Sequence, residues 1–195
     1  MSNSTAKKEE IILGACDLYA MAFNGGEIPE DSVIETEENK FCETKGGTSI
    51  EYKVTTYKVE SDNGTVKRIY ATKDEANLKT GIINVLNEKV LKILNSVGTT
   101  DTSTPGVVKA KIGGIKHFSG KAYIIRAVHK DDISGETRIT IVGLNSNGLA
   151  FAFDPSKETI VDAVFECEPC DGEGTLIIYE HKTAEYLKKS AEPQG

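Results

Sequence analysis

Period-two alternation of apolar and polar residues dominates this chain and predicts strands over most of its length. The clearest case is Ser49 to Thr72. Ile50, Tyr52 and Val54 alternate with Glu51, Lys53 and Thr55, the pattern of a half-buried strand. After Thr55-Thr56 the phase flips, and Tyr57 and Val59 become the apolar set. A strand changes face in this way at a bulge or sharp bend, which is therefore predicted there. Ser61-Asp62-Asn63-Gly64 supplies a hairpin turn, TVKRIYAT returns, and Ala76 to Ile83 reads as a further strand. An earlier strand is expected within Ile11 to Phe23, interrupted by Gly14 and Asp17.

The C-terminal third repeats the pattern. Strands are expected in AYIIRAV, in RITIVGLN, in Leu149 to Phe153, in Val161 to Phe165 and in the segment containing Leu176 and Ile178. AYIIRAV is apolar on both sides, as in a strand whose two faces are covered. Turn residues recur at Asp131–Gly135, Asn145–Gly148, Asp154–Lys157 and Asp171–Gly174. One segment has helical period: Leu86, Val90, Ile93 and Val97 share a face. Asn84 or Asn87 can cap its start and Gly98 can end it. Thr99 to Gly106 then reads as a linker, and Val107 to Ile112 as a strand. The predicted fold is mainly β, a β-sandwich or barrel with one packed α-helix over about residues 85–97.

Composition adds limits. The chain has 195 residues and a formal net charge of -7, so wrapping nucleic acid electrostatically is not expected of it. No apolar run approaches the roughly 20 residues of a membrane helix, and residues 1–10 lack a secretory pattern. Neither membrane binding nor export is expected. Four irregularly spaced cysteines suggest free thiols. Residues 1–10 and 182–195 read as flexible arms around a single domain, 11–181. Within it, Asn24 to Thr48 is an acidic, turn-rich stretch with a short strand expected at Ser32 to Glu37. A loop of that length inside a domain commonly bears an interaction. Gly25, Glu27, Glu35, Glu37 and Glu38 are the candidate contact residues there, and Asp62 and Asn63 at the hairpin tip.

No catalytic constellation, cofactor motif or metal set emerges. Cys167 and Cys170 form one CxxC, but no second ligand pair closes a tetrahedral site. Cys167 also continues the apolar phase of Val161, Ala163 and Phe165. His117, His129 and His181 are solitary and read as surface or strand-end residues. The acidic run from Glu35 to Glu43 lacks the alternating oxygens of a calcium loop. An enzyme is therefore not expected.

Taken in order, the segments ILGACDLY, GGTSIEYK, IYATKDEANLKTGI and the C-terminal strands to GTLIIYE resemble the major tail (tail tube) proteins of long-tailed, non-contractile bacteriophages. The resemblance implies a structural virion protein, made in the host cytoplasm, that forms six-subunit rings stacked into a tube. Its implied partners are other copies of itself, a tape-measure protein and tail-end proteins, with DNA passing through without sequence recognition. An acidic lumen would repel phosphates and let the duplex slide. Two other readings remain open on the residues alone. One is a related tube or ring, such as a secretion-system tube, a bacteriocin tube or a tail terminator. The other is a β-sandwich binding module.

Overall fold

A computed structural model describes residues 14–62, 64–65, 67–96 and 98–191. The elements in chain order are β1 (Asp17–Ala22), α1 (Asp31–Ile34), β2 (Lys40–Cys42), β3 (Thr44–Glu60), β4 (Lys67–Ile82) and α2 (Glu88–Leu94). They continue with β5 (Gly98–Asp101), β6 (Lys109–Ile112), a 3-10 turn (Ile115–His117), β7 (Tyr123–Asp131), β8 (Gly135–Asn145), β9 (Val161–Glu168), β10 (Ile178–Lys182) and α3 (Ala184–Ala191). The fold is mainly β, as the alternation predicts.

Eight strands form one antiparallel sheet in the order β2-β1-β7-β8-β9-β4-β3, with β10 also paired to β8. The sheet forks at β8. Its first half, Glu136 to Thr140, pairs with β10, and its last residues, Val142 to Asn145, pair with β9. Both faces are covered. Ile125, Ala127 and Ile141 pack with Val90, Ile93 and Leu94 of α2 on one face. Ile124, Val128 and Val142 pack with Ile34 of α1 on the other. That is why AYIIRAV is apolar at successive positions.

The predicted helix forms where expected and is shorter. Asn87 caps it, its side chain accepting from Lys89 N at 2.9 Å. Gly98 does not end it; it opens β5 with φ +153°, and an added Cβ would meet Lys111 O at 2.1 Å. The first three residues of the expected linker, Thr99 to Asp101, are thus strand, β5 pairing with β6 as a separate ribbon, and residues 102–106 lie in the loop between them.

The bulge is also present, between Thr55 and Thr56 in the β3–β4 register. Thr55 pairs with Lys73 and Thr56 with Ala71, so the extra residue is Thr72 on the returning strand. Its hydroxyl donates to Thr55 O at 3.1 Å. Ala76 to Ile82 is the continuation of β4 rather than a further strand.

Three further expectations differ from the structure. Ser32 to Glu37 holds α1 in place of a strand, because Ile34 docks under the sheet and Asp31 and Glu35 are tied to β7 and β8. Leu149 to Phe153 alternates correctly but has no neighbouring strand, and Phe153 is 92% exposed. The expected C-terminal arm carries α3, started by Thr183, whose hydroxyl accepts from Tyr186 N at 3.2 Å. The expected N-terminal arm, residues 1–10, lies outside the described residues.

Candidate assembly interface

The acidic segment is held by its own charges. Arg126 on β7 and Arg138 on β8 are each only 7% exposed at the side chain, and both reach α1. Arg126 Nη1 lies 2.5 Å from Asp31 Oδ1 and 3.2 Å from Glu35 Oε1. Arg138 Nε donates to Glu35 Oε1 at 2.6 Å and its Nη2 to Glu35 Oε2 at 3.1 Å. Arg138 also pairs with Glu136, and Lys182 Nζ donates to Asp31 Oδ2 at 2.7 Å. Asp31, Glu35 and Glu136 thus face Arg126, Arg138 and Lys182 in a partly buried layer, with Glu180 also paired to Lys182. Burial pushes the Asp31 carboxyl up, but hydrogen bonds from Lys182 and Arg126 outweigh it and hold the group below its ordinary range. Burial pulls the Arg138 guanidinium down, and Glu35 and Glu136 more than reverse this.

The structure therefore divides the predicted contact residues. Glu35 turns inward and is spent within the chain. Gly25 and Glu27 line an open cavity of about 620 Å³ together with Phe23, Pro169 and Cys170. Glu27, Glu37 and Glu38 are exposed, with the Glu38 carbonyl taken by Lys89 Nζ. Asp62 is exposed at the hairpin tip, and Asn63 lies outside the described residues. The Arg126–Glu35 network was missed by sequence reasoning, although a signal was present. An arginine inside an otherwise apolar strand needs a buried carboxylate partner.

The hairpin is the second feature. β4 pairs with β9 only over Asn77–Ile82, so Lys67–Ala76 has β3 alone as a neighbour. The two strands project as a ribbon roughly 30 Å long at about 3.3 Å per residue. Every described residue of Tyr52–Glu60 and Lys67–Glu75 is exposed. By pairing, Tyr57 and Tyr70 share one side of the ribbon, and Tyr52, Val54 and Ile69 share the other. Tyr57 is 62% and Ile69 63% exposed. A two-stranded ribbon is marginal by itself, and apolar groups gathered on one mark an interaction surface.

The strand edges are the third. β2 and β3 are the two ends of the sheet path, and β3 presents a 17-residue outer edge. Unpaired backbone groups along such an edge are a template for another strand.

Among the described residues no group of three or more His, Cys, Asp or Glu is placed to hold a metal ion. Burial pushes the Cys42 and Cys167 thiols up to about 12, so neither is primed as a thiolate. His129, read as a surface or strand-end residue, lies near the end of β7 and is buried; its Nδ1 lies 2.8 Å from Ala15 O. Residues 14 and 15, ahead of β1, lie against the ring: a Cβ added at Gly14 would meet His129 Cε1 at 2.9 Å.

The chain matches no protein-family model, and no curated protein matches it in sequence. Among solved structures it is similar to a chain of the virion of a native gene transfer agent particle, covering 85% of this chain and 95% of that one. Identity is 11% and the TM-score 0.38, a likeness that carries no weight for function.

Proposed function

We propose that this protein is a non-catalytic virion subunit that self-assembles, as six-membered rings stacked into a tail tube through which DNA passes. The observation that carries this reading is the combination of the two free ends of the sheet path with a projecting ribbon whose tyrosine, valine and isoleucine side chains its own body leaves exposed. Edge-to-edge pairing between copies closes a sheet into a ring and removes both edges. The ribbon, projecting beyond the body, then reaches an adjacent copy. Assembly around a tape-measure protein and capping by tail-end proteins follow from the same reading, as does location in the virion tail.

Negative-stain microscopy of the purified chain across a concentration series tests it, with light scattering on the same samples. Hollow stacked rings are the expected result. Closed single rings that never stack favour a terminator, and a persistent monomer in the presence of tape-measure protein overturns the reading.

A further inference from the structure

Ser103 to Lys121 stands apart from the rest of the chain. All its positions except Ala110 are exposed, although it contains β6 and the 3-10 turn. It nevertheless carries Val107, Val108, Ile112, Ile115 and Phe118, with Ile115 89% exposed. Ile112 and Phe118 line a groove of about 370 Å³ together with Leu94, Leu144 and Leu149. The segment includes Lys109, Lys111, Lys116 and Lys121 and not one Asp or Glu, in a chain of net charge -7. None of these lysines forms an ion pair among the described residues.

Residues 24–39 are the converse. They hold six carboxylates and no Lys or Arg. Asp31 and Glu35 are used internally, which leaves Glu27, Glu30, Glu37 and Glu38 exposed and without an ion pair. Val33, 49% exposed, stands between them. The two segments are attached to opposite faces of the sheet. Ile34 anchors the acidic turn on the Ile124 face, whereas Asn95 Nδ2 donates to Lys111 O and ties the basic ribbon to α2 on the Ile125 face.

We infer that the basic, apolar segment Ser103–Lys121 seats the acidic turn Glu27–Glu38 of a second copy of this chain. The contact is heterologous, with different patches on the two copies, and such contacts propagate into rings or filaments. Apolar groups at its centre and lysine–carboxylate pairs at its rim match the usual anatomy of an interface. Opposed charge sets the partner and the register more than the affinity. The inference deepens the assembly reading above and rests on it.

Charge reversal in the full chain tests it. One variant carries K109E, K111E and K116E; the other carries E27K, E30K and E37K. All six positions are exposed, and circular dichroism checks that each variant folds. Each variant alone is expected to need a roughly tenfold or higher concentration to associate, by sedimentation velocity. Mixing the two, or combining all six changes in one chain, is expected to restore association. Zero-length carbodiimide cross-linking of a mixed heavy- and light-isotope wild-type sample is expected to join these lysines to Glu27, Glu30, Glu37 or Glu38 between copies.

Wild-type tubes that persist unchanged in both variants overturn the inference and leave the tube reading standing. A wild-type chain that shows no association or intermolecular cross-links at millimolar concentration, with tape-measure protein present, overturns both. If the lysine variant assembles normally but no longer retains a short DNA duplex that the wild type retains, the segment is a nucleic-acid surface and the inference fails.

Discussion

Arg138 Nε lies 2.6 Å from Glu35 Oε1, joining residues 103 positions apart in sequence. With Arg126 bonded to the same carboxylate, the short helix α1 is fastened to the middle of the sheet rather than left as a loop. Glu35→Ala removes a carboxylate shared by two nearly buried guanidinium groups but leaves Arg126 with Asp31 and Arg138 with Glu136. Stability therefore drops by less than the roughly 3–5 kcal/mol that breaking an isolated buried pair costs. Urea denaturation should show that drop, with secondary structure retained in the absence of denaturant.

Acid should loosen the same layer. The Asp31 carboxyl is held below its ordinary 3.8, so the folded state binds its proton less readily than the unfolded chain. That contribution to stability is complete above the unfolded value and fades as pH falls through the lower folded value. A melting series from pH 6 downward should show a decline, beginning near the unfolded value, that Asp31→Asn flattens. A decline identical in the two proteins would place the acid sensitivity elsewhere.

The ribbon separates folding from assembly. Tyr57→Ser and Ile69→Ser alter side chains that touch little within the chain, so stability should move by no more than about 0.5 kcal/mol. Self-association should weaken in the same samples. Sedimentation and urea titration together distinguish this from general destabilisation.

Gly135 has φ +102°, and a Cβ there would lie 2.1 Å from Lys182 O. Gly135→Ala strains the backbone and pushes β10 from β8, at a cost above about 1 kcal/mol. Hydrogen exchange should rise first in residues 178–191.

The thiols should be slow. At pH 8, groups pushed up to about 12 hold a negligible thiolate fraction, so Cys42 and Cys167 should resist iodoacetamide until denaturant is added.

Features set by near neighbours were legible in the sequence. The cap at Asn87, the turn at Asp131–Gly135 and the phase flip at Thr55-Thr56 all depend on residues close by along the chain. The flip even located a bulge whose extra residue belongs to the opposite strand. Long-range partners were not legible. Leu149–Phe153 alternates like a strand, yet strand formation requires a neighbour, and none is placed beside it. α1 is a single turn, too short to display a period, and its hold on the body comes from arginines 91 to 103 residues away. Of the candidate interface, the acidic stretch and hairpin tip could be read directly. The inward turn of Glu35 could not, since it depends on where β7 and β8 place their arginines.

The fork at β8 also has a mechanical consequence. β7 and β8 are joined by nine residue pairs and β4 and β9 by six, but β8 and β9 by only four, Val142 to Asn145. Within the hydrogen-bonded sheet, a pull on the ribbon passes through β4 and β9 and reaches β8 across that narrow seam, beside the chain links from β3 to β2 and from β4 to α2. Under tension the four pairs of this seam part more readily than the nine that join β7 and β8, so β9 can separate from β8 while β7 and β8 keep their register.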